Sequence, residues 1–142
     1  MREILIRGKR IDNDEWVYGS FCMDALEQKN GLCGVDGFIR LYDPTVGKMQ
    51  MHEVYRETVG QFTGLTDKTD KNGKKIFEGD IVTGLFSFGM EVKAVVAFQN
   101  GAFGLRWSRG GAEQFSAFTS ICNVEYEVVG NIHDNPELLE EG

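Results

Sequence analysis

A chain of 142 residues, 42% hydrophobic and 26% charged, has the size of one globular domain or of two small subdomains sharing a core. Its net charge of −7 weighs against non-specific nucleic-acid binding, which needs several cations aligned with phosphates. No run approaches the roughly 20 apolar residues of a spanning helix, and Ile4 to Ile6 before Arg7 is too short for the apolar core of a signal peptide.

The 18 glycines exceed the usual share of about 7%. Helices tolerate glycine poorly and tight turns need it, so the excess predicts a β-rich fold. Cys22, Cys33 and Cys122 are odd in number and lack the close pairing of zinc or redox motifs, which predicts free thiols in a reducing cytoplasm.

In chain order, Glu3 to Arg7 and Trp16 to Phe21 read as strands around a charged turn at Asp12-Asn13-Asp14. Ile4, Ile6, Trp16 and Tyr18 are expected on one buried face. Met23 to Lys29 carries helix formers ended by Asn30-Gly31, and equally suits a loop; Gly31 to Gly37 is a glycine-rich connector. Gly37 to Tyr42 and Met49 to Tyr55 read as strands joined through Asp43-Pro44. Glu57 to Phe62 and Lys75 to Val82 flank a polar stretch containing Asn72-Gly73, and Gly79 interrupts the second run, the pattern of a hairpin or barrel corner.

Asn100-Gly101 favours a two-residue type I′ turn. Gln99 then pairs with Ala102, while Phe98 faces Phe103, Val96 faces Leu105 and Ala94 faces Trp107. Period two puts these last six on one face, expected to be core with Trp107 buried. After a loop at Ser108 to Gly111, strands follow at Gln114 to Ile121 and Tyr126 to Ile132. In the closing HDNPELLEE, Asn135 suits a helix cap, Pro136 the first position and Glu137 the positive end of the dipole, with Leu138 and Leu139 as anchors. The predicted fold is mainly β, antiparallel, with an SH3-like small barrel from residues 57–132. The N-terminal β-rich part (1–56) packs on the barrel-like part (57–142), and a short helical turn ends the chain.

Chemistry-bearing residues are sparse. Glu78-Gly79-Asp80 places two carboxylates near a strand start, but a barrel-corner aspartate is expected to accept local backbone hydrogen bonds. His133-Asp134 and His52 are too few to found a metal site without distant carboxylates. Cys122 reads as buried filler, no nucleophile elbow is present, and GLCGVDG at Gly31 to Gly37 lacks the lysine and helix of a phosphate loop. No catalytic, cofactor-binding or metal site is expected, and no enzymatic activity.

Charge is unevenly placed. Beyond Arg109 there is no Lys or Arg, while Glu113, Glu125, Glu127, Asp134, Glu137, Glu140 and Glu141 carry the whole net charge. This predicts either a solvated acidic face or one that meets a cationic partner. Arg7, Lys9 and Arg10 form a basic group, and Arg106, Arg109, Trp107 and Phe103 an aromatic and basic one. Either could serve a nucleic-acid-binding barrel, although the hairpin register commits Trp107 and Phe103 to the core.

Several spaced blocks together resemble the YopX protein family of bacteriophages and prophages in Gram-positive bacteria. They are Arg7-Gly8-Lys9, Trp16-Val17-Tyr18-Gly19, TVGQFTGL from Thr58 to Leu65, Asp70 to Gly73 with Lys75 to Val82, and GNIHDNPELL from Gly130 to Leu139. Thr69-Asp70 departs from the pattern as a loop insertion. The resemblance implies a small, β-rich, phage-encoded protein and carries no activity with it; with the unpaired cysteines, the cytoplasm of the bacterial host is the expected location. The leading expectation is a non-enzymatic accessory protein that binds a host or phage protein or itself, with no membrane and no non-specific duplex binding. The alternative is a small nucleic-acid-binding β-barrel.

Overall fold

The computed structural model describes residues 4–22, 37–67, 70, 73–85, 91–109, 111–118 and 126–139. The expected features at residues 23–36, Asn72, Cys33, Cys122 and Ile121 lie outside them. The fold is mainly β and antiparallel: the described residues form ten strands and a short 3-10 turn at Pro136–Leu139. The chain divides into two compact units, Met1–Gln61 and Phe62–Gly142.

In the first unit, β1 (Ile6–Arg10), β2 (Trp16–Cys22), β3 (Phe38–Asp43) and the long β4 (Lys48–Thr66) pair in sequence, and β1 also pairs with β4. β1 starts later than expected, leaving Ile4 exposed ahead of it. The β1–β2 turn is tied by local polar bonds: Asp14 N–H donates to Arg10 O at 3.0 Å and Glu15 N–H to Asn13 Oδ1 at 3.0 Å. Asp43 builds the β3–β4 turn, its Oδ1 accepting from the Thr45 hydroxyl at 2.6 Å and the Thr45 N–H at 2.9 Å. These bonds hold the Asp43 carboxyl below its ordinary range.

Two strands expected separately, Met49 to Tyr55 and Glu57 to Phe62, are one 19-residue strand. The sequence suggested a break because the strand bulges: opposite β1, the register shifts between Arg7 (paired with Gly60) and Lys9 (paired with Tyr55). Thr58 fills the gap. Its hydroxyl accepts from Lys9 N–H at 2.9 Å and donates to Tyr55 O at 2.6 Å, so a side chain replaces missing ladder groups. Ile39 and Val54 are fully buried on one face, where Gly8 lies against Val54 so closely that any Cβ would collide.

In the second unit, β5 (Lys75–Phe77) pairs with the end of β4 through Phe62↔Phe77 and Thr66↔Lys75. A five-stranded sheet follows in the order β10-β6-β7-β8-β9, with β6 at Asp80–Leu85, β7 at Glu91–Gln99, β8 at Ala102–Arg109, β9 at Ala112–Ala117 and β10 at Glu127–Asn131. The β7–β8 hairpin has the expected register, Gln99↔Ala102, Phe98↔Phe103 and Val96↔Leu105, and both Asn100 and Gly101 take positive φ. Ile76, Val82, Ala94, Val96, Leu105 and Tyr126 form the core.

The hairpin departs from expectation in two ways. Phe98 is more than half exposed, because the two-residue turn carries the tip past the core; it meets Phe103 edge-on at 5.0 Å. Trp107 is only half-buried, packed against the margin of the core. On the opposite sheet face, Ile81 and Val95 pair and are also buried, so the centre of β6–β7 is covered on both sides. That explains the continuous apolar run Ala94 to Ala97.

At the C-terminal end, Pro136–Leu139 forms the 3-10 turn. Asn135 does not cap it by side chain; its Oδ1 instead accepts Asn131 N–H at 3.3 Å. Leu138 is half-buried, whereas Leu139, expected to anchor the turn with it, is exposed.

Candidate functional site: an exposed sheet face

Directly paired residues share a sheet face, and alternate residues along a strand return to it. The pairs Ser20↔Arg40, Arg40↔Met51 and Tyr42↔Met49 therefore bring Ser20, Arg40, Tyr42, Met49 and Met51 together, with Tyr18 two residues along β2. All six are exposed, and Tyr18, Tyr42, Met49 and Met51 retain between 45% and 58% of their surface. Exposed Tyr18 and Ile4 overturn the expectation of a buried face built on Ile4, Ile6, Trp16 and Tyr18. The core of this unit is on the other face, and Ile6 and Trp16 are only half-buried.

The four large side chains expose on the order of 400 Å² in all. That lies within the range of about 300–600 Å² at which a monomer's largest apolar patch is often functional. Arg40, in the middle, is the only charged side chain of the six. Tyrosine, methionine and arginine are the residues enriched at protein interfaces. These six residues offer contact area and one cation, and Glu53, two residues beyond Met51 and paired with Phe38, adds a half-buried carboxylate to the same face. The outward face is carried by the alternation within β3 and β4 and by no motif of its own. The signal was Ile39 and Leu41 set against Arg40 and Tyr42.

The residues weighed from sequence fall elsewhere. Asp80 is buried, and its Oδ2 accepts Phe77 N–H at 2.8 Å, the local turn role expected of it. Glu78 is half-buried, and Gly79 donates its N–H to Val96 O and accepts Ile132 N–H, both at 2.9 Å. His133 and Asp134 donate their backbone N–H groups to Asn131 Oδ1 in an Asx-type turn. His52 pairs with Ile39 in the first unit. Among the described residues no three His, Cys, Asp or Glu side chains gather as a metal site would need. Asp67 was not singled out, yet it is buried, with Oδ2 accepting Val128 N–H at 2.9 Å.

The two basic groups are also disposed in ways the sequence did not reveal. Arg7 is buried, its guanidinium 4.6 Å from the centre of the Trp16 ring. Arg10 grips Asp12 through two bonds, Nε to Oδ1 at 2.9 Å and NH2 to Oδ2 at 2.6 Å, which holds the Asp12 carboxyl below its usual range. Arg106 pairs with Phe115 and Val95, so it faces away from Trp107 and Phe103. Arg109 ends β8.

A comparison with curated proteins returns no match. A family model described as YopX protein matches residues 7–140, nearly the whole chain. The match spans every block from Arg7-Gly8-Lys9 to GNIHDNPELL, and the chain belongs to the YopX protein family.

Proposed function

We propose that this protein is a non-enzymatic, protein-binding β-module, an accessory protein encoded by a phage or prophage and acting in the cytoplasm of the bacterial host. The observation that carries the reading is the exposed face of Tyr18, Ser20, Arg40, Tyr42, Met49 and Met51. Its complement is a protein surface of apolar groups around a carboxylate that pairs with Arg40. The nucleic-acid alternative loses support, since Arg7 stacks on Trp16 and Arg10 is neutralised by Asp12. In the second unit the final strand β10 lies beside the first strand of the meander, β6, which supports an SH3-like small barrel.

The test is affinity capture from host lysate with the parent chain and with an Arg40→Glu/Tyr42→Ala variant of unchanged circular dichroism and Tm. A host protein bound stoichiometrically by the parent and lost by the variant is the expected result. A partner held equally by both would remove this face from the proposal.

A further inference from the structure

The second sheet has two edges, and they are treated differently. β10 is blunted: its register shifts between Val128 and Gly130, Asp67 takes the Val128 N–H, and Asn135 takes the Asn131 N–H. Among the described residues β9 has none of these devices. Its six pairs with β8 run without a shift from Gly104↔Ala117 to Arg109↔Ala112. Its sequence, AEQFSA, holds no Pro or Lys and a single charge, Glu113. Among the described residues β8 is its only backbone partner, and Ala112, Glu113 and Gln114 are exposed. An unprotected regular edge is a template for another strand.

We infer that β9 is a self-association edge, pairing antiparallel with β9 of a second copy about a two-fold axis. The occupant follows from the geometry. Only two residues separate Arg109 from Ala112, so these form the hydrogen-bonded pair that closes the β8–β9 hairpin. Hydrogen-bonded and non-bonded pairs then alternate, and Glu113, Phe115 and Ala117 turn their N–H and C=O groups away from β8. An antiparallel edge is self-complementary across a two-fold. Centred on Phe115, it sets Phe115 against the partner's Phe115 and Glu113 against the partner's Ala117, forming six backbone hydrogen bonds. The two Glu113 carboxylates never face each other, which matters for a chain of net charge −7. The contact is small, so the dimer is concentration-dependent.

Sedimentation velocity across about 1–500 µM should show the mass rising toward that of a dimer. Glu113→Pro removes an outward N–H and leaves the β8 ladder intact, so it should weaken dimerisation at least tenfold with unchanged circular dichroism. Under mild oxidation Phe115→Cys should yield disulfide dimers above the level of the parent chain, because the axis brings the two positions together, and Gln114→Cys should not. A monomer at the highest concentration would overturn the inference. So would a dimer indifferent to Glu113→Pro, or one abolished only by Arg40→Glu/Tyr42→Ala, which would assign self-association to the first-unit face.

Discussion

Thr58 shows how much one hydroxyl can decide. Its two bonds bridge the bulge between β1 and β4, and Thr58→Val keeps the shape while leaving Lys9 N–H without its acceptor. A loss of about 1–3 kcal/mol in denaturant unfolding is expected; parent-like stability would mean the bulge does not depend on the hydroxyl. Tyr126 is the opposite case. Among the described residues its buried hydroxyl has no hydrogen-bond partner, and burial raises its pKa above the ordinary 10.0. Tyr126→Phe should therefore leave stability within about 0.5 kcal/mol or raise it. A folded pKa above the unfolded one means stability is full below pH 10 and falls as pH rises through the folded value, because the unfolded chain releases the proton first. Parent and Tyr126→Phe should thus diverge in alkaline unfolding only above that pH. Asp12 and Asp43 have the reverse sign: their pKa values lie below 3.8, so any stabilisation is present above that pH and lost in acid.

Among the elements, the β7–β8 hairpin was the most legible. Asn100-Gly101 and the alternating apolar pattern specify the same register, and local turn chemistry agrees with the distribution of bulk. Two glycines in β8 and its turn make different demands. Gly101 has open space around it but positive φ, so Gly101→Ala should cost about 1 kcal/mol from backbone strain alone. A Cβ on Gly104 would strike the Ser116 carbonyl oxygen of β9, so Gly104→Ala should cost about 2–3 kcal/mol by forcing the strands apart. Equal losses in thermal unfolding would contradict this account. Trp107 is packed at the core margin, and Trp107→Ala should cost about 3 kcal/mol, the low end for a large aromatic. β4 was the least legible element, because its bulge interrupts the period-two pattern on which strand recognition rests.

For the whole molecule, charge is the governing property. Residues 113–142 hold seven carboxylates and no Lys or Arg, and of the N-terminal cations Arg7 is buried while Arg10 is paired with Asp12. Mobility-shift titration against random duplex DNA at low salt should therefore show no complex, since too few cations remain to release counterions. Micromolar binding abolished by replacing Arg7, Lys9 and Arg10 with alanine would revive the nucleic-acid reading. Any association through the acidic residues should involve a cationic protein surface and weaken as salt shortens the Debye length below about 10 Å.

The sequence by itself determined the mainly β, antiparallel character of the fold, the β7–β8 register, the Asp43-Pro44 turn and the family. Each rests on local features: glycine and asparagine at turns, period-two bulk, and short blocks in fixed order. Only the tertiary structure decided which face of a strand is buried. Tyr18 looks like core by composition, yet it lies exposed on the face of Arg40 and Tyr42, while Ile39 and Val54 on the opposite face are fully buried; Arg7, paired with Tyr18, is itself buried against Trp16. Alternation along a strand gives two faces but does not say which one the rest of the chain will cover. The same holds for Asp67 and Thr58. Their partners, Val128 and Lys9, are distant in sequence, and only folding brings the donors to the oxygens.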